Sequence, residues 1–164
     1  MLPEGIHIEG ADDSKKLSGN TREALYKSIT SSALSFGVGA ASAREIDQTN
    51  ILRATTVAMQ RALEGLAIDE YEVVVDGLPV KGLGIKHDAV VGGDASIHSI
   101  GCASIIAKVT RDRLMVRLSE RYPEYGWERN KGYGTSEHRN AIERHGLTPH
   151  HRLTFGGLQY DLEL

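Results

Sequence analysis

Two short β-branched runs, each closed by an aspartate, constrain the fold of this chain most strongly. The first is YEVVVDG (71–77), whose continuous apolar stretch predicts a strand buried on both faces. The second is KHDAVVGGD (86–94), which we interpret as another strand that ends at a glycine pair. Long helical patterns lie before and after these runs, and strands that alternate with helices predict an α/β fold.

Capping patterns and breakers predict where the helices begin and end. Asn20 with Glu23, and Ser42 with Glu45, have the spacing of capping boxes. The predicted elements are a helix that begins near Asn20, a short strand over 34–41, a long helix from Ser42 to about Leu66, a second long helix from about Ser99 to Arg121, and a helix from Thr135 to about His145. Pro123 stops the second long helix.

Asp76 and Asp94 are the candidate metal ligands. Each closes a predicted strand, and ligands of open α/β sheets gather at the carboxyl ends of strands. Two carboxylates at such ends can converge on a hard cation, Mg²⁺ or Mn²⁺, because these ions prefer oxygen ligands. The alternatives are structural: Asp-Gly is a strong turn signal, so Asp76 can be a turn residue, and Asp94 can cap the helix that follows.

The stretch NKGYGTSEH (130–138) is a candidate contact for a nucleic acid. Glycines permit close backbone approach, Lys131 can meet a phosphate, and Tyr133 can stack on a base or a sugar. The alternative is a surface loop whose tyrosine packs down as an anchor. HHR (150–152) offers either a cationic phosphate contact or a tail tucked onto the domain.

Charge is unevenly distributed, although the net charge is only −3. Residues 101–152 hold ten Lys and Arg against six Asp and Glu, a balance of +4, so the rest of the chain carries −7. This asymmetry is typical of a phosphate-facing side, or of an ordinary solvated surface with mixed charges. No apolar run approaches the ~20 residues of a membrane helix. The single cysteine, Cys102, fits a reducing cytoplasm and a packing role.

Seven segments, taken in order, resemble bacterial ribonuclease HII. They extend from Asp12 to Phe155 and are DDSKKLS, EIDQTNILRATTVAMQRAL, VVVDG, GD followed by ASIIAKVTRDRLM, YPEYGW, NKGYGTSEH and HHRLTF. The resemblance implies an RNase H-like mixed sheet with flanking helices, in a single domain over 1–164 with a C-terminal helical segment over about 130–164. It also implies a metal-dependent endoribonuclease. Such enzymes cleave the RNA strand of RNA–DNA hybrids and cut 5′ of single ribonucleotides embedded in DNA, leaving a 3′-hydroxyl and a 5′-phosphate.

The resemblance also implies roles for individual residues. Asp76 and Asp94 match the third and fourth of four metal-binding carboxylates, which hold Mn²⁺ or Mg²⁺. Tyr133 matches a residue near the ribose at the RNA–DNA junction. The implied contacts to the nucleic-acid backbone come from the segment that holds Ser14, Lys15 and Lys16. The neighbouring acids Asp12 and Asp13 match positions that are not metal ligands.

One part of the family pattern has no counterpart in this sequence. The family begins with a strand that carries an adjacent Asp-Glu pair, followed by Gly-Arg-Gly, and no segment here matches either motif. The resemblance therefore predicts that the first two strands of the sheet and two of four metal ligands are missing, and that the strand over 34–41 lacks a neighbour. We expect either an enzyme truncated at its start or a hybrid-binding module without catalytic activity.

Overall fold

Helices surround a small parallel sheet in the computed structural model, which describes residues 1–11, 17–68 and 71–154. The elements are α1 (Gly19–Ser32), α2 (Ala43–Gln48), α3 (Ile51–Glu64), β1 (Val74–Asp76), β2 (Asp88–Val90), α4 (Gly93–Ser96), α5 (His98–Arg121), a 3₁₀ turn (Pro123–Tyr125), α6 (Trp127–Asn130) and α7 (Ser136–His145). This arrangement confirms the predicted α/β class. None of the helices within the described ranges is long and apolar enough to cross a membrane.

Both β-branched runs form strands, as predicted, although each strand is shorter than its run. The strands β1 and β2 are parallel, with Val74 opposite Asp88 and Asp76 opposite Val90. The N–H of Gly77 donates to the Val90 carbonyl at 2.9 Å and extends the pairing by one bond. In the part of the chain that the structure describes, the sheet has these two strands and is purely parallel, where a mixed sheet was expected.

The main core lies along α5. Its buried face packs against α1 and the first residues of the chain, in a cluster of Ala11, Ile29, Cys102, Ile105, Ile106 and Val109. Ile105 is fully buried, and Cys102 is 2% exposed. Cys102 therefore packs in the core, as predicted.

A second, aromatic cluster holds the C-terminal part of the described chain against the end of α5. Tyr125, Trp127 and Ala141 are buried there, and the rings of Tyr125 and Trp127 stack at 5.2 Å between centroids. Tyr122 and Leu118 of the α5 end complete the cluster. This packing fixes α6 and α7 relative to the long helix.

Two helix starts differ from the prediction. The N-cap of α1 is Ser18, whose hydroxyl accepts the N–H of Thr21, so the expected box at Asn20 is wrong. The box of Ser42 and Glu45 is confirmed. The expected long helix after Ser42 divides at Asn50, whose side chain accepts the N–H of Arg53 and starts α3 anew. A side chain that satisfies the first N–H groups makes a new start as favourable as continuation.

The strand predicted over 34–41 is wrong. The segment has no regular strand pairing, and its Leu34 N–H instead donates to the Met1 carbonyl at 3.1 Å. A strand needs a neighbour for its backbone groups, and no described strand lies beside it. Gly37 and Gly39 let the segment lie directly on α3, because a Cβ on Gly37 would sit 1.9 Å from the Ala62 carbonyl oxygen.

Candidate metal and nucleic-acid site

Asp76 and Asp94 lie next to each other at the carboxyl ends of the parallel strands. Asp76 ends β1, and its Oδ1 accepts the N–H of Gly93 at 2.9 Å. Gly93 directly precedes Asp94 in the first turn of α4. The chain passes from β2 into α4 through Gly92, which has the left-handed conformation that glycine adopts at low cost (φ 71°, ψ 27°). The two predicted acids are thus brought to one edge of the sheet.

Local packing explains why glycines precede Asp94. A Cβ on Gly93 would lie 2.6 Å from Ile100 Cδ1 and 3.6 Å from the Asp76 carboxylate. Only a residue without a side chain brings α4 this close to β1 and α5. The N-cap of α4 is Gly92, so the capping role considered for Asp94 is wrong. The hydrogen bond that fixes the Asp76 carboxylate joins it to Gly93, seventeen residues away, rather than to its own turn.

The donor chemistry of this edge suits a hard cation. Asp76 is exposed and Asp94 is half-buried, so both carboxylates lie near solvent. Mg²⁺ is commonly bound by one or two carboxylates while waters and substrate phosphates complete its octahedron. Over residues 1–11, 17–68 and 71–154, no group of three or more His, Cys, Asp or Glu is placed to hold a metal. Asp76 and Asp94 are therefore candidate ligands, and water or substrate oxygens would complete the coordination of an ion there.

Tyr133 is presented to solvent on a tightly held loop. The residue is 57% exposed, so the alternative of a packed anchor is wrong. Its N–H donates to the Asn130 carbonyl at 2.9 Å, and its carbonyl accepts the Thr135 N–H at 2.8 Å. The preceding turn uses left-handed residues, Lys131 (φ 50°) and Gly132 (φ 79°). The backbone is thus fixed while the ring stays available.

Two cations of α5 face the Tyr133 ring. The Lys108 Nζ lies 5.3 Å from the ring centroid, and the Arg111 guanidinium lies 4.7 Å from it. Both cations also interact with Asp112, at 2.9 Å and 3.7 Å. Lys108 and Arg111 lie in the long helix that the sequence predicted, but no role was predicted for them. Their i, i+3 spacing was the available signal for a shared face.

Lys131 turns toward the protein. Its Nζ donates to the Glu128 carbonyl at 2.5 Å, at the end of α6. It also lines a groove of about 430 Å³ between the start of α1 and α5, together with Arg113 and Arg117. Arg113 is held by the Glu23 carboxylate at 2.5 Å and 3.0 Å. Lys131 thus lies in a basic groove with its ammonium group already bonded.

The segment with Ser14, Lys15 and Lys16 lies outside the described residues, but its entry point is close to the acids. Ala11 is fully buried. A Cβ on Gly101 would sit 2.4 Å from the Ala11 carbonyl oxygen and 3.2 Å from that of Asp94. Gly101 therefore allows Ala11, α4 and α5 to meet.

One face of α5 connects the acids to Tyr133. Gly101 touches the Asp94 backbone, and Lys108 follows seven residues later. Residues seven apart lie on the same helix face, about 10 Å along the axis. Arg111 continues that face toward the Tyr133 ring. A carboxylate pair and a cation-flanked tyrosine are thus arranged along one side of the helix.

Comparisons with known proteins show the family to which this chain is similar. The family model described as "Ribonuclease HII" matches residues 5–157. The ribonuclease HII of Desulfitobacterium hafniense (strain DSM 10664 / DCB-2) is 45% identical over the whole chain, which spans 63% of that relative's length. The ribonuclease HII of Shewanella pealeana is 51% identical over 94% of this chain and 76% of its own. The ribonuclease H2 from Pyrococcus horikoshii OT3 has a similar structure, with a TM-score of 0.74 and 26% identity over 92% of this chain and 79% of that one.

Proposed function

The chain belongs to the ribonuclease HII family, and on that premise we propose that it is a metal-dependent endoribonuclease. Its proposed substrates are RNA–DNA hybrids and DNA duplexes with embedded ribonucleotides, cut 5′ of the ribonucleotide to leave a 3′-hydroxyl and a 5′-phosphate. The single observation that carries the proposal is the hydrogen bond from Gly93 to Asp76, which brings Asp76 beside Asp94. We also propose a single domain over 1–164, and a cytoplasmic role in DNA replication and repair.

Asp76 and Asp94 would hold Mg²⁺ or Mn²⁺ through their carboxylate oxygens. When bound, such an ion supplies activation of the attacking water and stabilisation of the leaving oxygen. The Gly93 N–H keeps the Asp76 carboxylate oriented before any ligand arrives. A metal ligand whose orientation is fixed in advance loses less entropy when the complex forms.

The nucleic acid would lie along the face of α5. Tyr133 would meet the ribose of the ribonucleotide, while Lys108 and Arg111, which lie 5.3 Å and 4.7 Å from its ring centroid, would contact adjacent phosphates. Lys131 and the segment with Ser14, Lys15 and Lys16 would contact the backbone farther along. Phosphate contacts position a duplex without reading its sequence. Discrimination for RNA would therefore depend on Tyr133 rather than on the cations.

Cleavage of a defined duplex tests the proposal. The purified chain is incubated with Mn²⁺ and a DNA duplex that contains one ribonucleotide, and the product ends are identified. Wild type should cut 5′ of the ribonucleotide, and Asp94→Asn should abolish cutting. Asp88→Asn is the matched control, because Asp88 is an exposed acid at the opposite end of β2. Cutting that survives Asp94→Asn would overturn the assigned site.

A hybrid-binding module without turnover is the second candidate. The observation that favours it is the cluster of Tyr133, Lys108 and Arg111, which can contact a nucleic acid without any metal. Salt-dependent binding of the ribonucleotide duplex, with no cleavage in Mn²⁺ or Mg²⁺, would favour this candidate. Binding that is weakened by Tyr133→Ala would place it on the same surface.

A further inference from the structure

A buried histidine pair connects the tail that follows α7 to the loop that carries Tyr133. His138 of α7 is 6% exposed, and its Nδ1 lies 3.0 Å from the Tyr133 carbonyl oxygen. A carbonyl oxygen only accepts, so Nδ1 carries the proton and donates it. The other ring nitrogen, Nε2, is then an acceptor. It receives the indole N–H of Trp127 at 3.0 Å.

His151 completes the arrangement from the tail. Its Nδ1 accepts the backbone N–H of Thr148 at 3.0 Å. The ring proton of neutral His151 is therefore on Nε2, which lies 3.0 Å from Nε2 of His138. Each ring thus has one tautomer that suits its neighbours, and the Trp127 and His151 donors share the single lone pair of His138 Nε2. The hydrogen bonds run in one direction, from Thr148 through both histidines to the Tyr133 carbonyl.

Burial keeps His151 neutral at pH 7. Burial first, and then the neighbouring His138 and His150, lower the pKa of His151 to about 4. The aromatic cluster surrounds the pair, with ring centroids of Tyr125 and Trp127 at 5.0 Å and 5.2 Å from that of His151. The donor on His151 Nε2 is therefore present throughout the neutral range.

The bond from His138 adds a side-chain support to the backbone bonds of this loop. Tyr133 stands between Gly132 and Gly134, and glycine neighbours leave a peptide with many accessible conformations. The bonds to Asn130, the last residue of α6, and to Thr135, the N-cap of α7, join backbone groups only. The bond from His138 ties the Tyr133 carbonyl to a buried side chain of α7.

We propose that His138 is a positioning residue for Tyr133, and that His151, together with the indole N–H of Trp127, fixes the tautomer in which His138 does this. The inference rests on the proposed role of Tyr133 at the ribose. His138 acts on the backbone carbonyl, so it sets where the ring stands without touching the nucleic acid. His151 makes the tail after α7 part of the discrimination for RNA, although that tail has no assigned contact with substrate.

Two substitutions separate positioning from packing. His138→Asn retains an N–H donor near the place of Nδ1 but loses the acceptor near Nε2. His138→Gln retains a polar group near Nε2 but has no donor that reaches the Tyr133 carbonyl. Both shorten the ring to an amide, so both disturb packing in a similar way. A purely structural role predicts similar losses for the two variants.

The readout is the ratio of dissociation constants for an all-DNA duplex and for the same duplex with one ribonucleotide, measured without divalent metal. His138→Gln should lower this ratio about five-fold, the value of one neutral hydrogen bond, with little change in affinity for all-DNA duplex. His138→Asn should stay within about two-fold of wild type. Equal ratios for the two variants would overturn the positioning role.

Tyr133→Ala distinguishes a failure of the proposed Tyr133 role from a failure of the inference about His138. If it leaves the ratio unchanged, the proposed role of Tyr133 is wrong. If it lowers the ratio while His138→Gln does not, the role of Tyr133 stands and the inference about His138 fails. Amide hydrogen exchange adds a readout without substrate. The Thr135 N–H donates to the same carbonyl, and it should exchange faster in His138→Gln than in His138→Asn.

The single tryptophan verifies each variant directly. The indole N–H of Trp127 donates to His138 Nε2, and the chain has one Trp, so one indole signal in a ¹⁵N NMR spectrum reports on that bond. The signal should shift more in His138→Asn than in His138→Gln. If both variants unfold, the same ratio of dissociation constants is measured for two His151 variants. His151→Gln keeps a donor near Nε2, and His151→Asn does not. Equal ratios for these two would overturn the inference.

Discussion

Substitution of Asp76 should separate the chemistry of the site from the stability of the fold. Asn and Ala both remove the carboxylate charge, but Asn keeps an oxygen that can accept the Gly93 N–H now bonded at 2.9 Å. Asp76→Asn should therefore cost less than about 0.5 kcal/mol in the free energy of unfolding. Asp76→Ala also deletes the hydrogen bond and should cost about 1 kcal/mol.

Activity should respond differently. Loss of groups that only support a metal ligand typically costs 10–100-fold, so loss of a ligand itself should lower cleavage of a ribonucleotide-containing duplex by at least about 100-fold. Both Asp76 variants should reach this level, although their stabilities differ. Urea unfolding gives the stability, and initial rates with Mn²⁺ give the activity. Asp88→Asn should match wild type in both measurements.

Two results would refute this reasoning. An Asp76→Asn variant that cuts within about three-fold of wild type would show that the carboxylate is not a metal ligand. An Asp76→Ala variant as stable as Asp76→Asn would show that the bond to Gly93 does not hold the end of β1 to α4.

Three further predictions concern the frame around the site. Gly101→Ala places a methyl group 2.4 Å from the Ala11 carbonyl oxygen and should lower the free energy of unfolding by about 1–3 kcal/mol; a calorimetric scan that matches wild type would contradict the close approach. Asp47→Ala removes the carboxylate that accepts the backbone N–H groups of Leu153 and Thr154 at 2.9 Å and 3.2 Å. Proteolysis after residue 146 should therefore be faster in this variant, and Asp47→Asn should have a smaller effect. Proteolysis of Asp47→Ala at the wild-type rate would argue against this anchor. The third concerns His151, whose lowered pKa of about 4 means that the unfolded state takes up its proton first. Neutral His151 therefore makes its full contribution to the free energy of unfolding above about pH 6.5, and that contribution is lost as the pH falls toward 4. The loss should be about 1–2 kcal/mol, after allowance for the partial exposure of His151. His151→Asn should lack this part of the pH dependence in urea titrations, and identical profiles would contradict it.

Local patterns predicted the parts of the fold that depend on local chemistry. Thr135 caps α7 and Gly146 follows its end, as the sequence indicated. The β-branched runs that end at Asp76 and Asp94 form parallel strands with adjacent carboxyl ends. Capping, breakers and alternation act within a few residues, so a single sequence records them.

The features that sequence reasoning missed depend on partners distant in the chain. Asn50 lies inside the single helix predicted from Ser42 to about Leu66, and it was not identified there as a new N-cap. The segment 34–41 has a strand-like composition, but a strand also needs a neighbour. Lys108 faces Tyr133 across 25 positions, and His138 meets His151 across thirteen. No spacing rule reports such contacts, because packing alone brings them together.

The central claim is that Asp76 and Asp94 together hold a divalent cation at the carboxyl ends of β1 and β2. Mn²⁺ broadens NMR signals near its binding site, so titration of the ¹⁵N-labelled chain tests this without any substrate. The account predicts early and strongest broadening at the amides of Gly77 and Gly93, and its loss in Asp76→Asn and in Asp94→Asn. Broadening centred on another part of the chain, or unchanged by both substitutions, would contradict it.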